Sequence, residues 1–364
     1  MLKKNLVFFM PHINTGGVEK NLFIISNYLK KKFKKSYLIT TKKRRDSLFI
    51  RNTIVPRASF WEKLPKKFKY FICFYLLIKF LLKDKNTVIF SFQANIYCII
   101  ISKIFDVKII TRSNTSPSGW SKNFIKKKIY SYFLNQANKI VVNSKEFERE
   151  FKNKFNLSTV LIFNPLNKKE IIKKSKEKVH IKIFSKKKSI INIINVARLT
   201  EQKDHITLLK SINLIKKKID VRLLIIGEGH TRGELDKYIN KNNLNKIVKI
   251  INFVKNPYKY ILKSDLFILS SKFEGLPNVL LESAVLKKPI ISSNCLTGPR
   301  EILMNEKGGL LFNVGNFKEL TEKIYFYYNN KKLINKKIRV LYKNLDKYDF
   351  NINLKKYYNL IKNI

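Results

Sequence analysis

The chain has 364 residues and a formal net charge of +50, from 75 Lys and Arg against 25 Asp and Glu. With 45% hydrophobic and 13% aromatic residues, and only 11 Gly and 9 Pro, it can bury a sizeable core, which excludes a disordered or collagen-like chain. The three cysteines, Cys73, Cys98 and Cys295, are odd in number and far apart, so a disulfide scaffold is excluded and a reducing cytoplasm is expected.

Residues 1–180 carry +29 and residues 181–364 carry +21, so the basicity is spread and there is no basic tail. Richness in Lys, Asn, Ile, Phe and Tyr makes part of this charge compositional. The remainder suits an anionic partner: phosphate groups, a membrane surface or nucleic acid. Nucleic acid is the weakest of the three, because no helix-turn-helix, zinc-finger spacing or aromatic RNA-binding motif appears. The apolar run Leu6–Met10 is too short for a signal-peptide core. The run Tyr70–Leu82, introduced by Lys66, Lys67 and Lys69 and broken by Lys79, falls short of the roughly 20 residues of a spanning helix. It reads equally as a buried helix or as a helix lying on an anionic membrane face.

In chain order, a strand over 6–10 precedes Asn14, Thr15, Gly16 and Gly17 and a helix from Val18 to Leu29. Further strands are predicted over 36–40, 87–92, 107–111 and 139–143. The lysine-rich stretch 171–188 reads as an inter-domain connection. A second series follows: strand 189–196, helix 207–217, strand 221–226, helix 232–240, strands 248–253 and 266–270, helix 278–285, strand 289–293 and helix 317–329. The tail from Lys331 reads as one or two basic helices. Strands alternating with helices predict an α/β fold of two doubly wound parallel-sheet domains facing a cleft. The domains are placed at 1–175 and 176–345, with a C-terminal helix over 346–364 returning to the first.

Four motifs carry chemistry. Gly16 and Gly17, between strand and helix, let the backbone approach an anion, although an ordinary tight turn looks the same. Arg198 and Lys203 lie in the loop after a strand, at the sheet edge where ligands bind, and two cations there can straddle a diphosphate. Gly227 begins a glycine turn that only faintly matches a dinucleotide fingerprint, since Arg232 stands where the third glycine belongs. The strongest motif runs Glu274, Gly275, Leu276, Pro277, Asn278, Val279, Leu280, Leu281, Glu282. Pro277 fits the first turn of a helix, whose Asn278 and Val279 amides would face a phosphate. The Glu274 carboxylate can accept hydrogen bonds from sugar hydroxyls, and Glu282 can hold a ribose diol.

Together with Thr297, Gly298, Pro299, Arg300, Glu301 and Ile302, this order of motifs resembles the retaining GT-B glycosyltransferases of family 4 over nearly the whole chain. The resemblance implies a nucleotide-diphosphate-sugar donor on the second domain. Its diphosphate would be held by Arg198 and Lys203, its sugar by Glu274 and its ribose by Glu282, with Gly16 and Gly17 on the opposite wall. It also implies a glycan acceptor on the first domain. The stretch from Cys295 to Leu303 is similar to transferases adding hexose or N-acetylhexosamine to polyprenyl-diphosphate-linked glycans, and favours UDP over GDP. The alternatives are a GDP-mannose-dependent mannosyltransferase of the same fold, a sugar-binding protein without catalysis and, from another class, a basic nucleic-acid-binding protein. Many relatives place a His near the donor sugar; here that stretch holds Arg112, with Asn114 as a lesser candidate. No Asp-x-Asp and no Cys/His cluster is present, so metal-independent transfer with no cofactor is expected. The expected location is cytoplasmic, peripheral on the inner face of the plasma membrane.

Overall fold

A computed structural model describes residues 2–13, 16–42, 52–114, 123–179, 184–187 and 189–364. The chain divides into two units, one of residues 1–165 with 350–364, the other of residues 166–349. The first unit runs β1 (Asn5–Phe9), α1 (Gly17–Leu29), β2 (Ser36–Ile39), β3 (Asn52–Ile54), α2 (Lys66–Lys83), β4 (Thr87–Ser91), α3 (Asn95–Ile104), β5 (Lys108–Arg112), α4 (Phe124–Asn135), β6 (Lys139–Val142), α5 (Lys145–Phe155) and β7 (Val160–Leu161). The second runs α6 (Lys168–Ser175), β8 (Ile191–Val196), α7 (His205–Ile215), β9 (Val221–Ile226), α8 (Arg232–Lys241), β10 (Val248–Ile251), α9 (Tyr258–Lys263), β11 (Leu266–Leu269), α10 (Asn278–Val285), β12 (Ile290–Ser293), α11 (Pro299–Ile302), β13 (Leu310–Phe312), α12 (Phe317–Asn329) and α13 (Lys331–Lys343). Helix α14 (Phe350–Lys362) belongs to the first unit again.

Both sheets are parallel. Their orders are β3-β2-β1-β4-β5-β6-β7 and β10-β9-β8-β11-β12-β13, so each order reverses beside its first strand, as in doubly wound dinucleotide folds. The central strands are mostly apolar, as at Leu6–Phe9, Val88–Phe90 and Leu266–Leu269, because helices cover both faces. All five residues of β1 are buried. Leu6, Phe8, Val88 and Phe90 pack against α1 and α14 on one face, while Val7, Phe9 and Ile89 pack against α2, α3 and α5 on the other. In the second unit β8, β9 and β11 share one core with α7 and α12.

The structure departs from the sequence reading in places. The division falls at Pro165 rather than 175, because α6 is a formed helix packed on α9 and α10. Within the stretch read as a connection, residues 180–183 and 188 lie outside those described. Strands β3, β7 and β13 are two or three residues long, too short to show a period of two.

Candidate functional site

In the second unit the strand order reverses between β8 and β11, so the loops leaving their carboxyl ends border the crevice where ligands bind in open parallel sheets. The loop after β8 carries Arg198 and a 3₁₀ turn, Glu201–Lys203, and ends at Asp204, whose side chain caps α7. The loop after β11 carries Ser270, Ser271 and Glu274 and leads into α10.

These two loops are laced together. Lys203 Nζ pairs with Glu274 Oε1, with side chains only 14% and 7% exposed. Ser271 Oγ donates to the same carboxylate oxygen at 2.6 Å. Ser270 Oγ donates to Lys203 O at 2.9 Å, and Gln202 Nε2 to Phe273 O at 2.8 Å. The loop after β12 closes on the second. Thr297 Oγ1 donates to Glu274 O at 2.6 Å. Gly298 has φ +85° and lies against Gly275 O, which a Cβ at that position would meet at 1.8 Å. Only glycine fits there. Beneath, Ser293 Oγ and Cys295 Sγ both reach Ser271 O, at 2.6 and 3.0 Å. Burial, foremost, pushes the Cys295 thiol up to about 11, so it acts as a neutral donor.

One layer deeper, His205 is buried beside Asn195, with Nε2 3.1 Å from Asn195 Oδ1, while Asn195 Nδ2 donates to Ile268 O at 2.8 Å. This chain ties the start of α7 to β8 and β11. Desolvation, and secondarily the charge of Lys203, lowers the His205 pKa to about 4, so the imidazole is neutral at ordinary pH.

The residues singled out in the sequence fall into three groups. Arg198, Lys203, Glu274, Gly275, Leu276, Pro277, Asn278 and Val279 come together on the neighbouring loops after β8 and β11. Arg198 is exposed and has no ion-pair partner among the described residues, whereas Lys203 is committed to Glu274. Pro277 occupies the N-cap of α10 (φ −70°, ψ 107°) rather than its first turn, so Asn278 and Val279 open the helix. Pro277 itself makes no side-chain capping bond to that N-terminus, and helix N-termini favour anions through their amides. Glu282 is buried, 6% exposed, in the second turn of α10.

Gly227 is a packing glycine. It is buried, and a Cβ there would sit 1.8 Å from Ala197 O, so its absence lets the loops after β8 and β9 touch.

Gly16, Gly17 and Arg112 belong to the first unit. Gly16 precedes α1 in an extended conformation (φ −167°) open to any residue. Glu19 in the first turn folds over it, its Oε2 2.7 Å from where a Cβ would lie. Asn14 and Thr15 lie outside the described residues. Arg112, read as a catalytic candidate, ends β5 with 1% exposure. Its Nε donates to Tyr357 Oη at 3.1 Å, one Nη to Asn164 Oδ1 at 2.7 Å, and the other to Asn114 Oδ1, and its guanidinium lies 5.5 Å from the Phe92 ring centre. These partners make Arg112 a clasp between β5 and the returning α14.

Sequence reasoning placed Thr297 in a motif without giving it a role, and missed Ser271 and the Asn195–His205 chain. Ser270 and Ser271, polar residues ending an apolar strand, were a usable signal. The partner of Thr297 and the role of His205 carried none, because the residues they meet are distant in sequence.

Residues 175–344 match the family model of the glycosyl transferases group 1. An uncharacterized glycosyltransferase of Methanocaldococcus jannaschii is 34% identical over 57% of this chain and 54% of its own, so the chain spans about half the length of that relative. The N-acetylgalactosamine-N,N'-diacetylbacillosaminyl-diphospho-undecaprenol 4-alpha-N-acetylgalactosaminyltransferase of Campylobacter jejuni is 29% identical over 68% of this chain and 67% of its own. Among solved structures, Anabaena HepE in complex with UDP and glucose superposes with a TM-score of 0.80 at 15% identity, covering 99% of this chain and 100% of that one. The fold of two Rossmann-like parallel-sheet domains is the GT-B fold.

Proposed function

We propose that this protein is a retaining glycosyltransferase. It moves a hexose or N-acetylhexosamine from a nucleotide-diphosphate sugar, UDP in preference to GDP, to a lipid-linked glycan acceptor in cell-surface polysaccharide synthesis. The observation that carries this reading is the lacing of Arg198–Lys203 and Glu274–Glu282 onto two adjacent loops at the strand-order reversal, within the segment matched by group 1. The undecaprenol-linked acceptor in the name of the Campylobacter relative, and the UDP bound in the Anabaena structure, support the acceptor and donor classes.

Arg198 is placed to fork onto the diphosphate, and the amides opening α10 to receive it. Lys203, already beside Glu274, adds a point charge as the glycosidic C–O bond breaks and charge develops on the leaving phosphate. Glu274 is held by Lys203 and Ser271, which fixes its second oxygen for a sugar hydroxyl. The acceptor oxygen attacks from the face the diphosphate leaves, and its proton passes to a leaving phosphate oxygen. The new glycosidic bond and the protonated diphosphate balance the step without a protein base. The cations and the helix N-terminus supply the charge stabilisation, so transfer proceeds without a metal.

The test is transfer from a panel of UDP- and GDP-sugars to an undecaprenyl-diphosphate-linked glycan, with and without EDTA, reading the product anomer. Transfer from a UDP-sugar, unchanged by EDTA and with retained configuration, is expected. No turnover of any donor would remove the enzymatic reading, and manganese-restored activity after EDTA would remove metal independence.

A further inference from the structure

Helices α2, α3 and α4 cover one face of the first sheet in succession. The Phe74 ring of α2 lies 5.4 Å from the Tyr97 ring of α3, and α3 packs on α4. Inward, α2 gives Cys73, Leu77 and Leu81 to the core. Its opposite side stays apolar in solvent: Phe68, Phe71, Tyr75, Ile78 and Leu82 are 37–69% exposed. Their spacing of three and four puts them on one stripe along about four turns of helix. Helix α4 adds exposed Ile125, Ile129 and Tyr132. Isolated exposed apolar residues are ordinary, but a continuous stripe marks a contact surface.

Charge identifies what the stripe meets. The three helices contain nine lysines and no Asp or Glu, whereas the next helix, α5, carries Glu146, Glu148 and Glu150. Lys79 and Lys83 flank the α2 stripe on its solvent side. Two copies of this face would set the lysines of one against the lysines of the other, since none of the three helices carries a carboxylate, and a nucleic acid could stack on the aromatic rings but would leave Ile78 and Leu82 uncovered. No described helix is long and apolar enough to cross a membrane, so a lipid-facing helix here lies in the plane.

We propose that the outward face of α2, extended by α4, docks on an anionic lipid bilayer, with the stripe at the acyl boundary and the lysines reaching the headgroup phosphates. This face belongs to the first unit and the donor loops to the second, so binding and transfer can be lost separately.

The experiment is flotation of the full chain with vesicles of phosphatidylcholine alone or mixed with phosphatidylglycerol, at low and raised salt. Binding to the mixed vesicles, weakened by salt, is expected. Phe71→Ser with Leu82→Ser should lower it about tenfold or more, as should Lys79→Glu with Lys83→Glu. Because these side chains point outward, both variants should keep the wild-type Tm and wild-type transfer to a water-soluble acceptor. Equal binding by wild type and both variants, or none by wild type, overturns the proposal. So does self-association of the wild type, without vesicles, that the serine variant abolishes, because the stripe then belongs to a second copy. Loss of transfer with vesicle binding intact refutes the transferase reading alone.

Discussion

Lys203 and Glu274, 71 residues apart in the chain, form an ion pair in which the shared carboxylate oxygen also accepts the Ser271 hydroxyl. The pair joins the two loops at the strand-order reversal, so one contact bears on both stability and donor chemistry. Because both side chains are largely buried, removing either strands the other without its partner.

Glu274→Ala should therefore reduce stability by about 3 kcal/mol and lower kcat by ~100-fold or more. The double variant Lys203→Met, Glu274→Leu should be more stable than either single variant, since no orphaned charge remains, yet equally inactive. Urea unfolding and donor turnover on the four proteins check this. A double variant that sums the two single losses would mean that the residues are not coupled.

Arg198→Ala separates function from folding. The side chain is exposed and without an ion-pair partner among the described residues, so stability should stay within about 0.5 kcal/mol of wild type. Turnover should nonetheless fall ~100-fold, with the larger effect on kcat/KM. Near-normal turnover would take Arg198 out of the diphosphate site.

His205 sets a pH window. Its folded pKa, about 4, lies below the ordinary value of 6.5, so between these limits the unfolded chain binds a proton that the folded chain refuses. The stabilisation is fully present above pH 6.5 and is lost as pH falls toward 4, amounting to up to about 3 kcal/mol. His205→Gln should show a flatter stability profile over this range in urea titrations at stepped pH. An unchanged slope would mean that His205 is solvated in the folded protein.

Gly298→Ala should act through backbone geometry. The position combines φ +85° with a Cβ that would overlap Gly275 O. A loss of about 1–3 kcal/mol is expected, together with displacement of the Glu274–Asn278 loop and weaker donor binding. Calorimetry and donor titration read the two effects. Retained Tm with weakened donor binding would make Gly298 a ligand contact and not a packing residue.

Arg112→Met should loosen the return of α14. Three hydrogen-bonding partners lose their donor, and a buried position on this scale costs about 2–4 kcal/mol. Hydrogen exchange over residues 350–362 should rise. Unaltered exchange with abolished transfer would place Arg112 in the chemistry.

Much of the fold was legible in the sequence because its signals are local. Apolar runs such as Leu6–Phe9 and Leu223–Ile226 mark strands buried on both faces, and the helices between them follow from the 3.6-residue period. Glu274 through Glu282 could be placed on a loop and helix start because glycine and proline punctuate the chain there. Contacts between distant segments leave no such trace. That Lys203 meets Glu274, that Arg112 is occupied by Tyr357 245 residues later, and that Gly298 rests on Gly275 depend on which loops the strand order brings together. Helix α2 shows the limit most plainly. Apolar nearly all round, it reads alike as buried or lipid-facing. Only the packing of Cys73, Leu77 and Leu81 into the core leaves Phe71 and Leu82 on the outside, because a helix can turn just one side to its sheet.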